Sequence, residues 1–271
     1  MGGFSADWLA LREPSDARAR SAALTTAVLD RLGGVTGLRV LDLAAGTGAN
    51  VRYLAGCLAG DRRSRHWLLV DNDAALLARA PMHIGPDDRV ETRQVDLAGA
   101  FEPAADNLCD GRDLVTASAL LDLVSERWLQ ALARRCFDAR AAVLVALTYD
   151  GGIRCSPQEP EDETVRDLVN RHQRIDKGLG PALGPEASEL AAGVFAALGY
   201  EVQRARSDWR LAADVPELQN LLIDGWAEAA EAMAPERAAL IRDWRARRLA
   251  HVAAGRSCLT VGHEELAAWL T

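Results

Sequence analysis

The sequence is poor in lysine and has no closely spaced pairs of cysteine. Lys177 is the only lysine, and there is no Gly-Lys-Ser or Gly-Lys-Thr loop of the kind that binds phosphates. The cysteines are five in number and none stands in a Cys-x-x-Cys pair, which favours reduced, buried thiols. The five histidines are equally scattered, so no zinc-type spacing occurs. We therefore expect no metal and no P-loop nucleotide site.

Long apolar runs are lacking as well. No stretch approaches the roughly 20 apolar residues that span a bilayer, and the first twenty residues contain no apolar signal core. A net charge of -8 argues against an overall basic field for nucleic acid. We expect a cytoplasmic protein with no membrane partner, and nucleic acid is an unfavoured partner.

Short apolar runs alternate with helical patterns through the first half of the chain. Such an alternation, with continuously apolar strands, indicates a parallel sheet covered on both faces, which binds ligands at the carboxyl ends of its strands. The predicted strands are 38–44, 66–71, 90–97, 113–121 and 141–149, and the predicted helices are 49–59, 74–80 and 125–137.

The flanking segments differ from this pattern. Residues 1–35 form a predicted helical segment that Pro14 divides into two pieces. The glycines and prolines of 150–187 indicate an excursion over the carboxyl edge of the sheet, a candidate lid. Beyond it we predict a helix at 187–200, a strand at 201–211, a helical insertion over 215–255, and a final strand at 257–266. Trp226 and Trp244 in that insertion indicate core, or a dimer face, rather than a ligand cage, and a homodimer stays open.

The most informative segment is Val40-Leu41-Asp42-Leu43-Ala44-Ala45-Gly46-Thr47-Gly48-Ala49-Asn50. A strand ends in the acid Asp42, a turn of small residues follows, and a helix begins. The small residues Ala44, Gly46 and Gly48 allow a ligand to approach the backbone closely. A pyrophosphate would favour Gly-x-Gly-x-x-Gly at the helix start, and the third glycine of that pattern is missing here. The alternative for Asp42 is a residue that only caps the helix.

This segment resembles motif I of the class I S-adenosylmethionine (SAM)-dependent methyltransferases, an acid followed by glycines at every second position. Ala44 is interpreted as replacing the first glycine, and Asn50, which tolerates a left-handed backbone, as taking the third position. The resemblance covers roughly residues 36–149 and is looser in the final strands. It implies SAM as the cofactor, because the sulfonium and amino groups of SAM suit an acid at Asp42.

Two further acids follow in the order of that family. The resemblance implies that Asp71, with Asn72 beside it, accepts hydrogen bonds from the ribose hydroxyls. It implies that Asp96 and Leu97 contact the adenine, and that Ser118 lines the cofactor. The open alternatives are that Asp71 caps the next helix, that Asp71 and Asp73 form a metal-binding Asp-x-Asp pair of a glycosyltransferase, and that Asp96 is a turn residue.

The resemblance fixes the expected architecture. The fold class is α/β, a three-layer, doubly wound, mostly parallel seven-stranded sheet with an antiparallel edge strand, plus a helical lid and insertions. Residues 36–271 form the SAM-binding domain, and the helical segment before it closes over the cofactor through Trp8, Arg12 and Glu13.

Candidate catalytic residues lie on the acceptor side of the sheet. Asp122 follows the fourth strand and is the candidate base or acceptor anchor; its alternative is an exposed turn carboxylate. Tyr149 ends the fifth strand and either orients the acceptor or simply packs. His172 is a candidate base within a lid that also carries the cations Arg154, Arg171, Arg174 and Lys177. These cations suit an anionic acceptor if they face the pocket, and a solvated helix face if they do not.

We therefore predict an enzyme that transfers the methyl group of SAM to a small-molecule acceptor by in-line displacement. A non-catalytic SAM-binding regulatory protein is the first alternative. An NAD(P)-dependent oxidoreductase is the second, and the acid at Asp42 argues against it. The sequence does not indicate the acceptor or the atom that is methylated.

Overall fold

The computed structural model describes residues 5–60, 63–81, 84–85, 88–102 and 105–271. Their strands are β1 (Gly37–Leu43), β2 (Ser64–Asp71), β3 (Asp88–Gln94), β4 (Leu114–Ser118), β5 (Ala142–Ser156), β6 (Glu201–Arg206), β7 (Trp209–Leu211) and β8 (Cys258–Trp269). Their helices are α1 (Ala6–Ala19), α2 (Ala22–Arg31), α3 (Ala49–Cys57), α4 (Ala74–Leu77), α5 (Glu126–Ala139), α6 (Asp162–Gln173), α7 (Ala187–Ala197), α8 (Pro216–Met233) and α9 (Ala238–Ala253).

The strands form one mixed sheet in the order β3-β2-β1-β4-β5-β8-β6, and β7 pairs with β8 beside β6. Strands β1 to β5 are mutually parallel, whereas β8 runs antiparallel to β5, β6 and β7. The predicted mostly parallel α/β fold with antiparallel pairing at one end is confirmed. Because the order reverses at β1, the connection after β1 runs toward β2 and the one after β4 runs the other way, toward β5. Such a point is where open α/β sheets bind ligands.

The sheet has eight strands rather than the seven predicted, because the predicted strand 201–211 is interrupted. Its two pieces keep one register against β8, since Arg206 pairs with Glu264 and Trp209 pairs with Val261. Between them the ladder breaks at Ser207, whose N–H donates to the His263 carbonyl at 2.9 Å. Strand β5 also runs to Ser156, so the residues 150–156 of the predicted lid belong to the sheet.

The division of the N-terminal segment at Pro14 is wrong. Pro14 lies inside α1, which continues to Ala19, and the chain breaks at Arg20 and Ser21 instead. A proline inside a helix removes one backbone hydrogen bond, and this helix continues past that loss. The break is stabilised by two contacts with Glu265, from the Arg20 side chain and from the Ser21 N–H.

Three apolar cores hold these layers together. On one face of the sheet α5 and α7 pack against β1, β4 and β5, and on the other face α2 and α3 pack against β1 and β2. The third core lies between the end of β5, β7, β8 and the helices α6, α8 and α9, and it buries Trp226 and Trp244. Within the described ranges, no helix is long and apolar enough to cross a membrane.

Candidate functional site

The turn after β1 is built from left-handed residues at every second position. Ala44, Gly46 and Gly48 have φ values of 51°, 53° and 78°, and α3 begins directly after Gly48. The interpretation of Asn50 as the third left-handed position is therefore wrong. That position belongs to Gly48, and Asn50 lies inside α3, where its side chain rather than its backbone contributes to the site.

Helix α1 lies directly over this turn. A Cβ atom added to Gly46 would lie 3.0 Å from Leu9 Cδ1, and one added to Gly48 would lie 2.8 Å from Pro81 Cδ. Glu13 of α1 forms an ion pair with Arg52 of α3 at 2.5 Å, and Arg52 also donates to the carbonyl of Thr47 at 2.6 Å. The turn has no room for larger side chains, and α1 is anchored above it.

Asp42 is buried at the end of β1, and within the described part of the chain one of its two oxygens has a partner. The Asn50 amide donates to Asp42 Oδ1 at 2.7 Å and to Thr116 Oγ1 at 3.1 Å. Asp42 Oδ2 is buried with no hydrogen-bond partner among the described residues. Burial raises the pKa of Asp42 to about 7, and the Asn50 hydrogen bond and the Arg20 charge oppose that rise. The site therefore holds a carboxylate with one unused acceptor oxygen.

Asp71 ties the end of β2 to the same turn. Its Oδ2 accepts from the Gly46 N–H at 2.8 Å, and its Oδ1 accepts from the Asp73 N–H at 2.9 Å. Asp73, not Asp71, caps α4, because its side chain accepts from Ala75 and Leu76 N–H. The side chain of Asn72 is exposed beside them.

The residues predicted to hold the adenine lie just beyond β3, and the one predicted to line the cofactor lies at the end of β4. Asp96 is exposed and accepts from the Ala98 N–H at 2.9 Å, so it does form a turn in this conformation. Leu97 is buried, and its carbonyl accepts from Trp128 Nε1 at 2.7 Å. Ser118 is the last residue of β4 and is half-buried.

Asp122 is a buried acid rather than an exposed turn residue. It lies in a single 3-10 turn, Leu121–Leu123, and its Oδ1 has no hydrogen-bond partner among the described residues. Burial raises the pKa of Asp122 to about 6, while backbone hydrogen bonds and the charges of Arg12 and Lys177 lower it.

Tyr149 lies on β5 within electrostatic reach of Asp122. Its hydroxyl donates to Asn170 Oδ1 at 2.7 Å, and burial raises its pKa, with Asp150 and Asp122 adding to the rise. Tyr149 is therefore held by a neighbour on α6 and is not poised to lose its proton near neutral pH.

Of the lid cations, the structure places Lys177 near the candidate base. Lys177 Nζ lies 3.4 Å from His172 Nδ1. Burial lowers the pKa of Lys177, and the charge of Asp122 opposes that shift. His172 is half-buried at the end of α6. Burial lowers its pKa, and the charge of Lys177 lowers it further. Arg154 pairs instead with Asp208 at 3.7 Å, and Arg174 pairs with Glu186 at 3.0 Å.

Arg171 is exposed. The lid cations therefore do not form one cluster. The alternative that they belong to a solvated helix face holds for some of them.

Sequence reasoning missed the residues behind Asp42. Arg20, which follows α1, donates to Asn50 Oδ1 at 2.7 Å and pairs with Glu265 on β8. All three side chains are buried. No sequence signal links Arg20 to Glu265, because 245 residues separate them.

Two clefts open elsewhere on the surface. One of about 610 Å³ lies between α5 and residues 178–180, and one of about 360 Å³ lies between the end of α1 and the β6–β7 edge. Neither is lined by any of the predicted site residues within the described ranges. The turn at Gly46 lies instead beneath Leu9 of α1.

The fold and the site define a class: an α/β protein with an acid and a left-handed small-residue turn at the switch point of its sheet. No family model matches the sequence, and no curated protein matches it. Solved structures with a similar fold include a SAM-dependent methyltransferase from Geobacter sulfurreducens in complex with S-adenosyl-L-homocysteine, at 18% identity over 100% of both chains and a TM-score of 0.49.

Two further structures show a similar overlap. A SAM-dependent methyltransferase from Thiobacillus denitrificans has 13% identity over 99% of both chains, with a TM-score of 0.46. A cyclopropane synthase from Mycobacterium tuberculosis has 15% identity over 97% of this chain and 94% of its own, with a TM-score of 0.48.

Proposed function

We propose that this protein is a SAM-dependent methyltransferase that acts on a small-molecule acceptor. The observation that carries the proposal is Asp42 Oδ2, an unpartnered and buried carboxylate oxygen beside the left-handed turn. A buried acid of this kind needs a partner when it is ionised, and the amino and sulfonium cations of SAM are such partners.

The residues at the turn fit SAM better than a dinucleotide. A pyrophosphate would bring negative charge beside Asp42 and Asp71, both buried acids. SAM carries no phosphate. Asp42 would hold its methionine end, Asp71 and Asn72 its ribose, and Asp96 and Leu97 its adenine, while Ser118 would line the cofactor. When bound, SAM supplies a methyl group already activated for in-line displacement.

Access to Asp42 requires part of α1 to move. Leu9 lies against Gly46, and Asp42 is 1% exposed. The Glu13–Arg52 ion pair is partly exposed, so it holds α1 with a modest energy of about 1 kcal/mol or less. We infer that the N-terminal part of α1, where Leu9 covers Gly46, opens and then excludes water from the bound ligand, while its later part stays held by the hydrogen bond of 3.0 Å from Trp209 Nε1 to Asp16.

On the acceptor side, Asp122 is proposed to accept a proton or to anchor the acceptor. A carboxylate with a pKa of about 6 is ionised at neutral pH and is still a usable base. Tyr149, held by Asn170, would orient the acceptor. His172 has a lowered pKa and is neutral above pH 7, which makes it a second candidate base. Lys177 favours an acceptor that carries an anionic group.

Calorimetry with SAM, S-adenosylhomocysteine and NAD(H) tests the cofactor. We expect low-micromolar binding of the first two, on the order of 7–8 kcal/mol. Binding of NAD(H) with neither SAM nor S-adenosylhomocysteine would overturn the proposal. A screen of acceptors with methyl-labelled SAM then separates an enzyme from a regulatory SAM-binding protein.

A further inference from the structure

A continuous chain of buried polar groups connects Asp42 to the junction of α1 and α2. Asp42 Oδ1 accepts from the Asn50 amide at 2.7 Å, and Asn50 Oδ1 accepts from Arg20 Nη1 at 2.7 Å. Arg20 Nε pairs with Glu265, and the other oxygen of Glu265 accepts from the Ser21 N–H. Four side chains from four parts of the fold thus meet behind the turn: Asp42 of β1, Asn50 of α3, Arg20 after α1 and Glu265 of β8.

The orientation of the Asn50 amide follows from chemistry. Arginine can only donate hydrogen bonds, so the amide oxygen must face Arg20. The amide nitrogen then faces Asp42 and Thr116, and the Thr116 hydroxyl itself donates to the Leu144 carbonyl at 2.7 Å. Both amide hydrogens of Asn50 are therefore used, and Thr116 and Arg20 agree on which atom of Asn50 meets Asp42.

In the same geometry, the Asn50 side chain bridges the Arg20 guanidinium and the Asp42 carboxyl group. The Arg20 side chain is 2% exposed, and its guanidinium lies over the Tyr53 ring at 4.3 Å from the centroid. A buried cation at this distance favours the ionised form of a neighbouring acid. Asp71 is the opposing charge at this edge, because it disfavours ionisation of Asp42. Glu265, on β8, is the other charge in the network and pairs with Arg20.

We propose that Arg20 is a positioning residue for the cofactor: with its charge next to Asn50 it favours the ionised form of Asp42, whose Oδ2 is left free for a cationic group. The inference rests on the proposed function for the identity of that group, SAM. It adds to that function a residue outside the motif, and it makes cofactor affinity depend on the N-terminal helices. Without Arg20, Asn50 Oδ1 loses its donor and Asp42 is ionised only at higher pH.

The test compares two double variants, each of which removes a buried arginine together with its acid. Arg20→Met with Glu265→Gln removes the proposed positioning pair and leaves no unpaired charge behind. Arg65→Met with Asp88→Asn is the matched control. That pair is also buried, but it lies at the start of β2 and β3, the opposite edge of the sheet. Circular dichroism and thermal melting establish that both variants fold.

The first measurement needs no ligand. Carbon-13 NMR of labelled aspartate carboxyls, with Asp42→Asn to assign the resonance, reports the midpoint at which Asp42 loses its proton. We expect the Arg20→Met, Glu265→Gln variant to raise that midpoint by about one pH unit, and the control to leave it unchanged. An Asp42 midpoint equal to that of the wild type would overturn the inference.

The second measurement is SAM affinity between pH 6 and pH 8. At pH 6.5 the positioning variant is expected to bind about tenfold more weakly than the wild type, because one pH unit is a tenfold change in the ionised fraction. At pH 8 the difference should shrink to less than about threefold. Equal loss at every pH, or equal loss in the control, would indicate a merely structural role and overturn the inference. Absence of SAM binding in the wild type would instead overturn the proposed function, while the carboxyl titration still decides the role of Arg20.

Discussion

The two halves of the carboxyl edge are organised differently. At the ends of β1 and β2, Asp42 and Asp71 are connected to the backbone and to a buried network, with bonds of 2.7–2.8 Å to Asn50 and Gly46. At the ends of β4 and β5, Asp122 Oδ1 has no partner among the described residues, the hydrogen bonds to this acid come from backbone groups, and the charges of Arg12 and Lys177 reach it through space. In the first half the acids are bonded to the turn and to a buried network of side chains, whereas in the described part of the second half the candidate base is bonded to the backbone alone.

The proposed function assigns a different ligand to each half. A preorganised acid and turn suit one invariant ligand, because binding then costs little reorganisation. Separate groups around a buried base suit an acceptor that brings its own polar atoms. The comparison predicts that changes in the first half alter cofactor affinity, whereas changes in the second half alter turnover.

The largest effect is expected from Asp122→Asn. If Asp122 removes a proton, turnover should fall by about 10²–10⁴-fold while SAM affinity stays unchanged. In the wild type kcat/KM should rise as the pH increases to about 6 and level off above it, because only the ionised acid is a base. The variant should lack that limb. Steady-state kinetics with the true acceptor, with exposed Asp138→Asn as the control, provides the measurement.

A wild-type rate in Asp122→Asn would mean that catalysis at this edge depends on proximity alone. A small loss, without a change in the pH profile, would assign Asp122 to acceptor positioning. Either result would remove the proposed difference in chemistry between the two halves.

The next effect is a pH dependence of stability that comes from Asp42. Its pKa rises from an ordinary value of 3.8 to about 7 on folding, so the folded state binds the proton more tightly than the unfolded state. Stability is therefore present below pH 4 and is lost as the pH rises through 7, by about 2–4 kcal/mol. Asp42→Asn should remove this loss and stabilise the apoprotein at pH 8. Chemical unfolding at pH 5 and pH 8 measures both terms.

Saturating SAM should remove the same loss of stability in the wild type, because a cation at Oδ2 favours the ionised acid. In Asp42→Asn there is no such loss, so SAM should not change the pH dependence of its stability. A wild-type stability that is level between pH 5 and pH 8 would contradict the burial argument. A variant that still binds SAM with full affinity would show that Oδ2 is not the cation site.

Sequence patterns predict the first half of the molecule much better than its second half. The strand, turn and helix around Asp42 follow from local periodicity and small residues. The Asn50 interpretation was wrong because a motif read by residue type does not say which backbone is left-handed. Arg20 and Glu265 were missed because their contact joins opposite ends of the chain.

The lid illustrates the same limit. A segment rich in glycine and proline was predicted to leave the sheet at residue 150, but β5 continues to Ser156 by register shifts after Val145 and Tyr149. Pairing with the long strand β8 is a tertiary effect that no local pattern indicates. For the same reason, the closeness of the lid cations in the sequence did not show that the structure separates them.

Asp71→Ala tests the connection between β2 and the turn. It should weaken SAM binding by roughly 1.5–3 kcal/mol, because the ribose loses a charged acceptor. The structure adds a second cost: the Gly46 and Asp73 N–H groups lose their partner, so stability should also fall by about 1–3 kcal/mol. Calorimetry and thermal melting separate the two costs. An unchanged dissociation constant with lowered stability would mean that Asp71 only holds the turn.

The smallest effect is expected from the lid cations. It distinguishes Lys177 from Arg171, which the sequence alone could not do. Lys177 lies near Asp122 and His172, whereas Arg171 is exposed. Lys177→Met should raise the acceptor KM by about 3–10-fold if the acceptor is anionic, since one charge-assisted contact is lost. It should also move the acidic limb of the pH profile upward by roughly a few tenths of a pH unit, because a cation near Asp122 favours its ionised form.

Arg171→Met is the matched control, and it should change neither the acceptor KM nor the profile. SAM affinity should stay constant in both variants. If Arg171→Met raises the acceptor KM as much as Lys177→Met, the acceptor binds across the exposed face of α6 rather than beside Asp122. If neither variant has an effect, the acceptor carries no anionic group that the lid recognises, and Asp122 alone distinguishes this half of the edge.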